Sequence, residues 1–196
     1  MADSSTQSII IGASPDRVTA VIQRVNSNYR TDLLWPLIRE AQRLTGQDDE
    51  AREANFTPYR VIADHGRAAT FLIADGVVPG NTGRNYITRM IIRRAARFGA
   101  KLGLNGPFLA EIARVVIETY GEHYTELKKN QKTILDNITR EEQRFARTVE
   151  AGLVQLDDLL KAVKKSGGKT LEGGKAFDLY ATLGLPLEIT RDIARE

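Results

Sequence analysis

The residues with the most chemistry in them lie in one stretch, Pro79-Gly80-Asn81-Thr82-Gly83-Arg84-Asn85-Tyr86-Ile87-Thr88-Arg89-Met90-Ile91-Ile92-Arg93-Arg94-Ala95-Ala96-Arg97. Between Arg84 and Lys101 there are six cations (Arg84, Arg89, Arg93, Arg94, Arg97, Lys101) and no Asp or Glu, in a chain whose formal net charge is only +3. The positive charge is therefore concentrated, which points to an anionic partner. Guanidinium forks pair bidentately with phosphate oxygens. The loop glycines Gly80 and Gly83 let backbone N–H groups approach a phosphate at a helix N-terminus. Arg89, Arg93, Arg97 and Lys101 repeat every four residues, a spacing that lines up along one helix face and tracks a charged backbone. The competing reading is a solvated basic face matched by acidic residues on neighbouring helices.

Other candidate chemistry is sparse. The chain has no cysteine and only two histidines, so disulfides and thiolate-bound metals are excluded. Asp64-His65 suggests an acid–base pair, but adjacent residues do not face each other on a helix, so His65 reads as structural. His123, beside Glu122, reads as a surface residue. Glu141 with Glu142, and Asp157 with Asp158, read as helix-surface charges. Trp35 and Phe145 read as core. No Ser/His/Asp order, Walker-type loop or metal-ligand cluster is present.

The chain has 196 residues, with 42% hydrophobic and 27% charged residues, a composition that folds. Apolar runs are too short to span a membrane. The polar start, Met1 to Ser8, is no signal peptide, so a cytoplasmic protein is expected.

The elements that must position the basic stretch read as helices, giving an all-α multi-helix bundle. Pro15 after Ser14 starts a helix through about Asn26, with Val18, Val21, Ile22 and Val25 at helical spacing. Thr31 to Leu44 follows, stopped by Gly46, with Leu33, Leu34, Leu37, Ile38 and Ala41 facing inward. Asp48 to Asn55 reads as a polar connection or short turn. Pro58 to about Gly76 is helical, and the basic helix runs from Thr82 to Leu102 with an apolar stripe of Ile87, Met90, Ile91, Ala95, Phe98 and Leu102. Gly103 to Gly106 break it, and Pro107 starts a helix through Tyr120. Tyr124 to Lys165 is one long helix or an antiparallel pair broken near Gly152, with Ile134, Ile138, Phe145, Val149, Leu153, Leu156, Leu160 and Val163 as its apolar seam. Gly173 to Leu183 and Glu188 to Arg195 close the chain. The only plausible strand is Ser8 to Ile11. The expected division is a tail, 1–14, and a helical domain, 15–196, with a possible subdivision near 103–106.

Several longer motifs carry a resemblance. Arg60-Val61-Ile62-Ala63-Asp64-His65-Gly66-Arg67-Ala68, Phe71-Leu72-Ile73-Ala74-Asp75-Gly76, Asn81-Thr82-Gly83-Arg84-Asn85-Tyr86, Ile91-Ile92-Arg93-Arg94-Ala95, Glu141-Glu142-Gln143-Arg144-Phe145-Ala146-Arg147 and Ala176-Phe177-Asp178-Leu179-Tyr180-Ala181-Thr182-Leu183-Gly184 resemble alanyl-tRNA synthetases, in the family's order, over residues 9–196. The resemblance implies the helical tRNA-recognition region, which follows the class II catalytic fold and precedes the editing domain. It implies that the helices clamp the acceptor stem of tRNA(Ala), whose G·U wobble pair is the identity signal. Asn81 would then be the base-edge candidate, although the family's reader aligns with Asn81 or with Gly83. Arg84, Arg89, Arg93, Arg94, Arg97 and Lys101 would bind phosphate or sugar.

Three departures stand out. Gly12-Ala13-Ser14-Pro15-Asp16-Arg17 sits where the family has Gly-x-Gly-Leu-Glu-Arg. Arg17 keeps the ATP-contacting Arg, while Ser14 and Asp16 replace Gly and Glu. The earlier class II motifs are absent, so the chain alone is not expected to be catalytic or to hold a cofactor. ATP, Mg²⁺ and ligation of alanine would belong to a full-length enzyme, and the catalytic and editing domains would be partners if the chain is a piece of one. Finally, Ala181 stands where the family has an Asp that helps read the wobble pair, and it offers guanine no acceptor. The alternative is a divergent stand-alone RNA- or protein-binding module without enzymatic activity.

Overall fold

A computed structural model describes residues 14–182, 184–185 and 187–195. The expected strand at Ser8 to Ile11 and nearly all of the 1–14 tail lie outside them. Every regular element among the described residues is helical, which makes the fold all-α: α1 (Pro15–Ile22), a 3-10 turn (Asn28–Arg30), α2 (Trp35–Thr45), α3 (Asp49–Ala54), α4 (Phe56–Ala74), α5 (Gly83–Lys101), α6 (Leu109–Tyr120), α7 (Thr125–Lys129), α8 (Gln131–Lys165), α9 (Gly173–Ala181) and α10 (Leu187–Arg195). None is long and apolar enough to cross a membrane.

Helix α4 is the hub, packed on α2, α3, α5, α6, α7 and α8. Its Tyr59, Ile62 and Ile73 meet Leu37 and Ile38 of α2, Ile92 and Ala95 of α5, Ile112 and Val116 of α6, and Ile134 and Ile138 of α8 in one core. A smaller cluster, Leu156, Leu179 and Leu185, holds α9 and the segment after it against the far half of α8.

Several elements differ from the sequence expectation, each for a local reason. Helix α1 stops at Ile22, four residues early, and Arg24 turns the chain with φ 55°. Val18, Val21 and Ile22 are exposed. The helix is held instead by Asp16, whose carboxylate takes both Arg67 Nη atoms of α4 at 2.9 and 2.8 Å. That guanidinium keeps the Asp16 carboxyl below its usual pKa range. Asp48 to Asn55 is a helix, α3, rather than a connection. Asp48 caps it by accepting from the Ala51 N–H, and buried Arg52 ties it to Gln42 at 2.5 Å and lies 4.9 Å over the Trp35 ring.

The long tract is one helix through Gly152, with its break earlier, at Asn130, whose Nδ2 donates to the Ala74 carbonyl. Gly152 lets another segment approach, since a Cβ there would meet the Leu185 Cβ at 2.9 Å.

Glu142 is buried rather than on the surface. Its two carboxylate oxygens accept the Phe108 and Leu109 backbone N–H groups, each at 3.1 Å, so it caps α6 from α8. Burial outweighs these bonds and pushes its pKa up from 4.5 to about 7. A carboxyl whose pKa rises on folding stabilises in its protonated form. The contribution is complete below about pH 4.5 and is lost as pH rises through about 7. Relative to Glu142→Gln, the parent chain is expected to lose about 3 kcal/mol of unfolding free energy between pH 4.5 and 8. Urea melts across that range check this, and parallel curves for the two proteins would contradict it.

Candidate nucleic-acid interface

The loop 79–82 leads into α5 through Gly83, whose φ of 56° suits glycine, and the Gly80 N–H donates to the Asn85 carbonyl at 3.0 Å. This fold-back presents Asn81 on the surface. Its Oδ1 accepts from Arg89 Nη1 at 2.6 Å, so the loop and the second turn of α5 are one unit.

The six cations do not share a face. Arg93 is only 9% exposed; its Nε donates to Glu141 Oε1 of α8 at 2.7 Å, and its guanidinium lies 5.3 Å over the Phe145 ring. Arg89 Nε approaches the same oxygen at 3.4 Å. Glu141 is 4% exposed, which corrects its reading as a surface charge. Arg84, Arg94 and Lys101 point to solvent, and Arg97 is half-buried. The expected apolar stripe holds in part: Ala95 and Leu102 are buried and Ile91 and Phe98 pack against the core, but Ile87 and Met90 are exposed, and the fully buried face runs through Thr88, Ile92, Ala95 and Gly99. These buried positions are spaced four, three and four, as one helix face requires.

Between α5, the 79–81 loop and α8 lies a cleft of about 430 Å³. Asn81, Arg89 and Arg93 form one wall, and Arg144, Arg147 and Thr148 of α8 form the other, with Glu141 between them. Four guanidiniums thus surround one carboxylate, which is already committed to Arg93 and Arg89. Arg144 has no ion pair among the described residues, and Arg147 donates only to the Gln143 carbonyl, at 3.4 Å. Such a cleft attracts anions, and planar forks on both walls suit phosphate oxygens.

An adjoining hollow of about 390 Å³ is lined by Tyr86, Arg89, Met90, Arg93, Tyr180 and Ala181. The fold therefore brings Ala181 beside the same arginines as Asn81, although 100 residues separate the two positions in sequence. Arg17 is exposed on α1 and shares no cavity with these groups among the described residues. His65 Nδ1 lies 3.7 Å from the Asp64 carboxylate, a contact that lowers the Asp64 pKa. His123 is exposed.

Sequence reasoning missed Arg144 and Arg147. Their signal was present: Arg140, Arg144 and Arg147 are spaced four and three, one outward face of α8. Glu141 and Glu142 also carried a signal, because both fall at seam positions between Ile138 and Phe145.

Glu141→Ala is expected to cost about 3 kcal/mol by leaving Arg93 buried and unpaired, while Arg93→Ala/Glu141→Ala costs less than the sum of the single changes. Denaturant melts of the four proteins check this, and additive losses would contradict it.

A family model described as class II (A) tRNA synthetases matches residues 4–196. Among curated proteins, the alanine–tRNA ligase of Roseiflexus sp. (strain RS-1) is 44% identical over 189 residues, covering 96% of this chain and 21% of that protein. The alanine–tRNA ligase of Burkholderia thailandensis is 44% identical over 185 residues, covering 94% and 21%, and that of Chloroflexus aurantiacus is 43% identical over 189 residues, covering 96% and 21%. The chain spans about a fifth of the length of these relatives.

Proposed function

The chain belongs to the class II (A) family of tRNA synthetases, and from that premise we propose that residues 15–196 form a tRNA-recognition domain whose α5–α8 cleft binds the acceptor stem of tRNA(Ala). The reading rests above all on the cleft itself: two walls of guanidiniums around one internally committed carboxylate, with an amide side chain at the rim. Double-helical RNA is held mainly through its backbone, its 2′-hydroxyls and its minor groove, which matches this arrangement.

Arg144, Arg147 and Arg89 take phosphate or sugar. Arg93 positions Arg89 and the cleft wall through Glu141. Asn81 offers its Nδ2 amide to a base edge while its Oδ1 serves Arg89. Arg84, Arg94, Arg97 and Lys101 add to the field around the duplex.

The reading assigns no cofactor to this chain. Alanine ligation with ATP belongs, in this reading, to a longer enzyme of which such a domain is the RNA grip.

Ala181 divides grip from selectivity. Methyl in place of carboxylate removes an acceptor for a guanine amino group, so the domain holds the stem but reads the wobble pair weakly. A salt-dependent competition between tRNA(Ala) and a form with G·C in place of the wobble pair tests this. The two RNAs are expected to bind within about threefold of each other, and Ala181→Asp is expected to favour the wobble form about tenfold. Arg144→Ala should lower the salt slope by about one. Failure of the chain to bind either RNA overturns the reading and favours a protein partner.

A further inference from the structure

A second basic groove, of about 870 Å³, lies between α6, α7 and the first half of α8. Its cations come from three elements: Arg114 of α6, Lys128 and Lys129 of α7, and Lys132 and Arg140 of α8. Asp136 is the one carboxylate in the lining, and it is already paired with Lys132 at 2.6 Å. Lys128 and Lys129 make no ion pair among the described residues and are exposed. The remaining lining is Ala110 and Leu135 with amides and a hydroxyl, and it holds no aromatic ring. A groove with cations on both walls and no stacking platform suits a sugar–phosphate backbone rather than unstacked bases.

The groove and the first cleft draw neighbouring residues from the same helix, α8. Arg140 lies in the groove, Arg144 is one turn further along α8, and Arg147 completes that outward row in the first cleft. From Lys132 to Arg147 the helix rises about 22 Å, and no acid interrupts this row beyond Asp136.

We propose that this groove is a second backbone-binding site, taking the continuation of the same RNA beyond the α5–α8 cleft. The inference rests on the acceptor-stem reading and adds to it: the cleft holds one end of a duplex, and α6–α7–α8 grips the phosphates further along.

Two hairpins separate the sites, one of about five base pairs, filling only the cleft, and one of about twelve, long enough to reach the groove. Binding is measured by fluorescence anisotropy against salt with the full chain. Lys129→Gln/Arg140→Gln should lower the salt slope for the longer hairpin by about two and leave the short hairpin unaffected. Lys129→Arg/Arg140→Lys should keep the slope. An unchanged slope for the longer hairpin overturns the proposal, as does an equal loss on both hairpins. If the parent chain does not hold the short hairpin, the cleft reading falls first and this one with it.

Discussion

The ion pair between Arg93 and Glu141 is the interaction on which the rest of the site depends. It joins the middle of α5 to the first third of α8, both partners are almost fully buried, and the Phe145 ring covers the guanidinium. A buried pair of this kind adds little net stability over an apolar pair, but breaking one half of it is costly. Its value here is positional. It fixes how α5 and α8 face each other, and so fixes the width and lining of the cleft between them.

The same carboxylate sorts the arginines. Glu141 accepts from Arg93 Nε and reaches Arg89, which in turn holds Asn81. The loop, the basic helix and the long helix thus become one hydrogen-bonded unit before any ligand arrives, which reduces the ordering cost of binding. The charge left for an anion sits on Arg144, Arg147 and the outward residues of α5. Glu142, one position on, secures the start of α6 against the same stretch of α8. Two neighbouring acids therefore fasten three helices.

Much of the fold was legible because its signals are local. Gly46, Gly76 and the Gly103–Gly106 stretch stop helices where the sequence says they should, and the Ile134, Ile138, Phe145 seam is buried. What was hidden depends on long-range partners. Glu141 and Glu142 read as surface charges because a carboxylate is buried only when a distant group meets it, here Arg93 and the α6 N-terminus. The stripe on α5 was misread at its first two positions, because Thr88 and Gly99 face the core while Ile87 and Met90 do not. The fourfold repeat of Arg89, Arg93, Arg97 and Lys101 marked a cation-rich helix. It did not tell which of them the protein itself would consume, and it gave no hint of the opposite wall on α8.

On the function proposed above, the Arg93–Glu141 pair stays closed while the arginines around it take the RNA. The most direct measurement is NMR of the arginine Nε–H signals during titration with an acceptor-stem hairpin. The Arg93 signal is expected to be protected from solvent exchange and to keep its position, while those of Arg89, Arg144 and Arg147 shift as the RNA binds. Release of Arg93 on binding, or binding that leaves Arg144 and Arg147 unmoved, would contradict it.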